Sequence, residues 1–119
     1  MLDNMGNFRR YLPSDLMENG ISLQDIHFNE YIWSWHDALT VIDILIDKKI
    51  FILGGDVYSY IKNRYRPTGE SWYVNPTSLI PNEDDLLKSK NVSMDYINTF
   101  IKKNGEVSYF SIVARFPMR

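Results

Sequence analysis

The stretch from Ile50 to Tyr58, IFILGGDVY, decides how this 119-residue chain folds. Ile50-Phe51-Ile52-Leu53 is apolar at every position and β-branched at two of four, which is typical of a central strand buried on both faces. Gly54-Gly55 interrupts this run, and a strand pattern rich in tyrosine resumes at Val57. The glycines match neither GxGxxG nor GxxxxGK[ST], and no helix pattern follows them to hold a phosphate. They predict instead a bulge or a tight connection that needs the backbone freedom of glycine.

Helices are predicted on both sides of this strand. Apolar side chains recur at helical spacing before it, at Ala38, Val41, Ile42 and Leu45. This stripe predicts an amphipathic helix over about residues 35–48, with Ser34 and Asp37 as a capping box at its start. After the strand, Asn82 and the three acidic residues behind it predict the start of a long helix. That helix is expected to break at residues 91–93 and to end near Asn104-Gly105.

The remaining elements are predicted to be short. Residues 57–61 and 70–74 predict an antiparallel hairpin, with a turn over residues 63–69 that contains Pro67 and Gly69. Residues 107–116 predict a closing strand, while residues 21–33 are strand-like or irregular. A helical turn is expected from residue 14, after a loosely ordered start over residues 1–10. The predicted fold is therefore α+β: a single domain over residues 1–119, with helices packed on a mainly antiparallel sheet of about four strands.

The composition is that of an ordinary globular chain. Hydrophobic residues make up 45% and charged residues 24%, and the net charge is -2, so no overall positive field attracts nucleic acid. The chain contains no cysteine, which excludes disulfides and Cys-based zinc sites and fits the cytoplasm, the expected compartment. The longest apolar run, residues 50–53, falls far short of the roughly 20 residues that span a bilayer, so no membrane partner is expected.

No pattern in the sequence is typical of a catalytic or metal site. His27 and His36 are the only histidines, and neither belongs to HExxH or a comparable ligand spacing. The Asp84-Asp85 pair lies at a predicted helix start, where the helix dipole accounts for it. We therefore predict no catalytic residue, no metal and no cofactor. A hydrolase built from Glu30, Asp56 and distant partners is an alternative without a supporting motif.

Several segments, taken in order, resemble the immunity protein 40 family of bacterial polymorphic toxin systems. The resemblance covers about residues 20–113, and its most specific part is the run Leu53-Gly54-Gly55-Asp56-Val57-Tyr58. The supporting segments are Asn29-Glu30, Trp33, Asp37-Ala38-Leu39, Thr68, Ser71-Trp72-Tyr73, Ser93, Tyr96-Ile97 and residues 109–113. The resemblance implies a protein that binds and neutralises a cognate toxin domain and protects the cell that makes it. It implies neither catalytic residues nor a cofactor.

The candidate partner-binding residues lie mostly in and around the predicted hairpin. They are Glu30, Asp56, Tyr58, Tyr60, Tyr65 and Trp72. Large aromatic side chains with a polar end anchor many protein interfaces, and carboxylates add charge complementarity. Packing within the sheet is the ordinary role of such aromatic residues.

A nucleic-acid-binding module is the alternative function that the residues suggest. Lys62, Arg64 and Arg66 alternate with Tyr60 and Tyr65, a pattern that combines phosphate contacts with ring stacking on single strands. The ordinary interpretation of this patch is a solvated hairpin end, which the acidic net charge favours.

Overall fold

The computed structural model describes residues 4–23, 30–105 and 107–117. Two short helices and two short strands come first, followed by a helix, a long hairpin, a second long helix and two closing strands. The elements are α1 Asn4–Tyr11, α2 Ser14–Asn19, β1 Ile21–Ser22, β2 Tyr31–Ser34, α3 Trp35–Asp47, β3 Phe51–Ile61, β4 Arg64–Tyr73, α4 Glu83–Asn104, β5 Ser108–Ser111 and β6 Val113–Arg115.

Every strand pair in the described part of the chain is antiparallel, which confirms the predicted α+β class. The strands lie in the order β1-β2-β5-β3-β4, and β6 pairs with β3 beyond the end of β5. The sheet thus has six strands, and the prediction of about four is wrong. Two of them, β1 and β2, come from the stretch predicted as strand-like or irregular. A third arises because the predicted closing strand is interrupted at Ile112, while the two strands predicted on either side of Gly54-Gly55 are the single strand β3.

The strand β3 runs without a break through Gly54-Gly55. Its register shifts between Ile52 and Gly54 and again between Asp56 and Tyr58, so the glycines mark a bulged strand rather than a connection between two strands.

The hairpin between β3 and β4 turns at two residues, Lys62 and Asn63, so the predicted turn over residues 63–69 is wrong. Both turn residues have positive φ, 53° and 63°, the backbone that gives a two-residue hairpin the twist of its strands. Pro67 and Gly69 lie inside β4 instead. Proline is tolerated there because β4 is the edge of the sheet, and Gly69 lies in the irregular segment opposite Val57.

The helix α3 confirms the predicted stripe, since all four of its apolar positions are buried. Ser34 makes no side-chain hydrogen bond to the helix, so the capping box predicted there is wrong. The Asn82 side chain, by contrast, accepts a hydrogen bond from Asp85 N at 2.8 Å, and Asp85 Oδ2 accepts one from Asn82 N at 3.3 Å. The helix α4 then continues unbroken to Asn104, contrary to the expected break, because Ser93 is buried against the sheet.

The helices pack on one face of the sheet, where the main hydrophobic core lies. Phe8 of α1 is buried there, with its ring centroid 5.2 Å from Trp33 and 5.1 Å from Phe116. The helix α1 is therefore anchored to the core through Phe8. None of the described helices is long and apolar enough to cross a membrane.

Candidate partner-binding surface

The face of the sheet opposite the helices carries Tyr58, Tyr60, Tyr65 and Tyr109, and we call it the tyrosine face. Successive side chains of a strand alternate between faces, and directly paired residues share a face. Tyr58 pairs with Tyr109 across β3 and β5, and Tyr60 pairs with Tyr65 across β3 and β4. Tyr58 also forms a second hydrophobic cluster with Leu23 and Ile32, and none of the residues in this cluster comes from a described helix.

Three of these tyrosines form a continuous row of rings. The ring centroids of Tyr60 and Tyr65 are 4.6 Å apart, and Tyr65 meets Tyr109 edge to face at 5.1 Å. Tyr60 is 45% exposed, Tyr65 and Tyr109 are half-buried, and Tyr58 is buried. Burial, followed by the neighbouring Tyr109, raises the pKa of Tyr65. Tyr65 therefore stays neutral at physiological pH. The partly exposed aromatic surface of the row is of the kind that proteins use as interface anchors.

Two carboxyl groups lie at one end of this face. Tyr58 donates a hydrogen bond of 2.6 Å to Glu30 Oε1, and Ser111 also hydrogen-bonds the Glu30 side chain. Ser111 Oγ accepts a hydrogen bond of 2.9 Å from Asp56 N. The carboxyl groups of Glu30 and Asp56 are themselves within hydrogen-bonding reach of each other. We call Glu30 and Asp56 the carboxyl pair.

Burial is the largest cause of the raised pKa of Glu30, and the negative charge of Asp56 adds to it. The hydrogen bonds from Tyr58 and Ser111 favour the charged form and offset part of this rise. Burial and the neighbouring Glu30 also raise the pKa of Tyr58, which stays protonated and remains a hydrogen-bond donor. The two ion pairs found among the described residues, Lys49–Glu83 and Lys90–Asp43, lie elsewhere.

The structure brings together five of the six predicted site residues. Glu30, Asp56, Tyr58, Tyr60 and Tyr65 lie on the tyrosine face. Trp72 lies on the other face, buried in the core, where its indole stacks on Tyr96 at 5.0 Å and donates to Ser93 Oγ at 3.0 Å.

The basic patch of the hairpin does not share the tyrosine face. Arg64 and Arg66 flank Tyr65 on β4 and pair with Ile61 and Ser59, so their side chains leave the sheet on the opposite side. Lys62 occupies the turn. Because the cations and the tyrosine rings point away from each other, they do not form one surface for a stacked single strand. The nucleic-acid alternative is therefore not favoured.

Three further residues of this face were not among the predicted set. Tyr109 and Ser111 lie in β5. Tyr73 lies in β4, two residues after Ser71, which pairs with Asp56 and so shares its face; the Tyr73 side chain is 67% exposed. Tyr109 and Ser111 are two residues apart in the predicted closing strand, a spacing that places both on one face. No pattern in the sequence indicated that this face also contains the carboxyl pair.

No group of three or more His, Asp or Glu side chains in residues 4–23, 30–105 and 107–117 could hold a metal ion. His27, one of the two histidines of the chain, lies outside the described residues. Asp85 is engaged in the helix cap and accepts a hydrogen bond from Thr77 Oγ1.

The raised pKa of Glu30 gives a testable pH dependence of stability. The folded state binds a proton on Glu30 more tightly than the unfolded state does, so the free energy of unfolding falls as the pH rises from about 4.5 through the raised pKa. Glu30→Gln keeps an oxygen acceptor for Tyr58 but does not titrate. Urea denaturation at pH 4.5, 5.5 and 7 should therefore show a smaller loss of stability in this variant. Glu18→Gln, at an exposed position of α2, is the control, and identical pH profiles for Glu30→Gln and the wild type would contradict the prediction.

Comparison with known proteins adds one finding. The family model described as Immunity protein 40 matches residues 22–114, a span that includes α3, the hairpin, α4 and nearly all of the sheet. This match confirms the resemblance seen in the sequence. None of the curated proteins matches the chain.

Proposed function

The chain belongs to the immunity protein 40 family, and from this premise we propose that it binds a cognate bacterial toxin domain and neutralises it in the cell that makes both. The family match over residues 22–114 is the observation that carries the proposal. The proposal assigns recognition to the chain and assigns it no catalytic step. The compartment is the cytoplasm of the producing cell, whose reducing conditions suit a chain without cysteine.

The tyrosine face is the surface that we propose for toxin contact. The strand β3 pairs with β5 on one side and with β4 on the other. The side chains of the face are therefore held in place before the toxin binds. A tyrosine loses little conformational entropy when it is bound and offers both ring area and a hydroxyl group. Tyr60 and Tyr73 are the exposed rings, and Tyr65 packs between Tyr60 and Tyr109. The carboxyl pair supplies polar specificity beside them.

Co-expression tests the function directly. The toxin domain encoded beside this gene is expressed under an inducible promoter, with and without the chain, and survival is counted. The proposal predicts that the chain restores growth and that the two proteins elute together in size-exclusion chromatography. A chain that folds normally but gives neither protection nor a complex would overturn the proposal.

A further inference from the structure

Among the residues that the structure describes, the charge on the tyrosine face is negative. The carboxyl pair stands at one end, and Tyr58 and Tyr65, whose pKa values are raised, stay neutral beside it. Lys62, Arg64 and Arg66 are the nearest cations along the chain, and they occupy the turn and the opposite face of the hairpin. The face is therefore acidic in a chain whose net charge is already -2.

The carboxyl pair is held in a geometry that favours a cation. Two carboxylates within hydrogen-bonding reach repel each other, and the repulsion is relieved by a shared proton or by a positive charge. Tyr58 and Ser111 hold the Glu30 side chain, and Ser111 also binds the backbone N–H of Asp56, so the fold brings the two carboxyl groups together. No ion pair among residues 4–23, 30–105 and 107–117 involves either carboxylate.

The geometry points to a cationic partner: we infer, on the basis of the proposed function, that the toxin surface bound by the tyrosine face is basic and places an arginine against Glu30 and Asp56. A planar guanidinium has enough donors to bridge two carboxylates, and it loses less hydration free energy than an ammonium group when it is buried. Tyr60 lies four positions after Asp56 in β3, a distance of roughly 13 Å along an extended strand. The toxin surface that matches the face thus has its arginine at one end and an apolar or cationic contact for the Tyr60 ring at the other.

Salt and charge variants test this inference on the complex of the full chain with its toxin domain. The association rate and Kd are measured by surface plasmon resonance at 25 and 300 mM NaCl. We expect the wild-type association rate to fall by about tenfold over this range, because complementary charges steer the encounter. The double variant Glu30→Gln, Asp56→Asn should raise Kd by at least roughly tenfold and flatten the dependence on salt.

The matched control is the double variant Glu18→Gln, Asp95→Asn. It changes the net charge by the same amount at exposed positions of α2 and α4, away from the tyrosine face, and should leave Kd within about twofold of the wild type. Circular dichroism of both variants checks the fold, and the salt dependence of the wild type tests the inference without any substitution.

The outcomes separate the inference from the function on which it rests. If the wild-type complex is tight but depends little on salt, and the two double variants bind equally well, the inference of a basic toxin surface is wrong. The proposed immunity function is not affected by that result. A wild type that forms no complex at either salt concentration would overturn both.

Discussion

Replacing Gly55 with alanine is expected to lower the free energy of unfolding by about 3 kcal/mol. A Cβ atom at this position would lie 2.0 Å from the backbone oxygen of Ser111 and 2.5 Å from the Trp72 ring. The Ser111 carbonyl belongs to the neighbouring strand β5, and the Trp72 ring is held by its hydrogen bond to Ser93. Neither side can yield without disturbing the sheet or the core.

Gly69→Ala is the control for this substitution. Gly69 has a φ of 89°, but a Cβ atom added there would meet no other atom within 4 Å, so the variant measures backbone strain without a steric clash. Its expected cost is about 1 kcal/mol. Urea denaturation of both variants at one pH gives the comparison. A loss in Gly55→Ala no larger than that in Gly69→Ala would show that close approach is not the reason for the glycine.

Ser89→Ala is expected to cost about 3 kcal/mol. β4 ends opposite Gly54, so Ile52 lies beyond the end of that strand. The Ser89 hydroxyl hydrogen-bonds the backbone of Ile52 in its place: it accepts a hydrogen bond from Ile52 N at 2.9 Å and donates one to Ile52 O at 2.7 Å. The N–H and C=O groups of Ile52 are both buried, so the variant leaves both without their side-chain partner.

Ser93→Ala is the comparison for Ser89→Ala. Ser93 is an equally buried serine of the same helix, and its hydroxyl accepts one hydrogen bond, from the Trp72 indole. Its expected cost is about 1 kcal/mol. Thermal unfolding should rank Ser89→Ala below Ser93→Ala in stability. The reverse order would contradict the role given to Ser89 as a substitute for β4.

The long helices could be predicted because their evidence is local. The stripe of α3 repeats over two turns, and the Asn82–Asp85 cap depends on residues three apart, so short-range sequence patterns are sufficient for both. The prediction of a break at residues 91–93 was wrong because it also used local evidence alone. Local propensity disfavours asparagine and serine in a helix, but the burial of Ser93 against Trp72 stabilises the helix at that point.

The hairpin was predicted less well because Pro67 and Gly69 imitate a turn. On an edge strand both residues are tolerated, and the real turn at Lys62-Asn63 was overlooked. The error had a consequence for the site. Tyr65 pairs with Tyr60 and Trp72 pairs with Gly55, and these partners are five residues apart in β3, so the surface tyrosine and the core tryptophan lie on opposite faces. A turn placed between them hid that distinction.

The carboxyl pair could be named but not assembled from the sequence. Glu30 and Tyr58 are 28 residues apart, and their contact depends on β2 and β3 both flanking β5. Such a strand order joins distant segments, and no local pattern in a single sequence reports it. The aromatic and acidic residues were therefore predicted as separate candidates, and only the fold shows that five of them share one face.

The affinity of the toxin domain for two matched double variants tests the central claim most directly. Tyr60→Ala with Tyr73→Ala removes the exposed rings of the tyrosine face, and Leu87→Ala with Val92→Ala removes exposed apolar side chains of α4. Kd measured by isothermal titration calorimetry should rise by at least roughly 30-fold for the first pair, the loss expected of one or more interface hot spots. The second pair should bind as the wild type does. Wild-type affinity in the tyrosine variant, or a loss confined to the α4 variant, would contradict the tyrosine face as the toxin-binding surface.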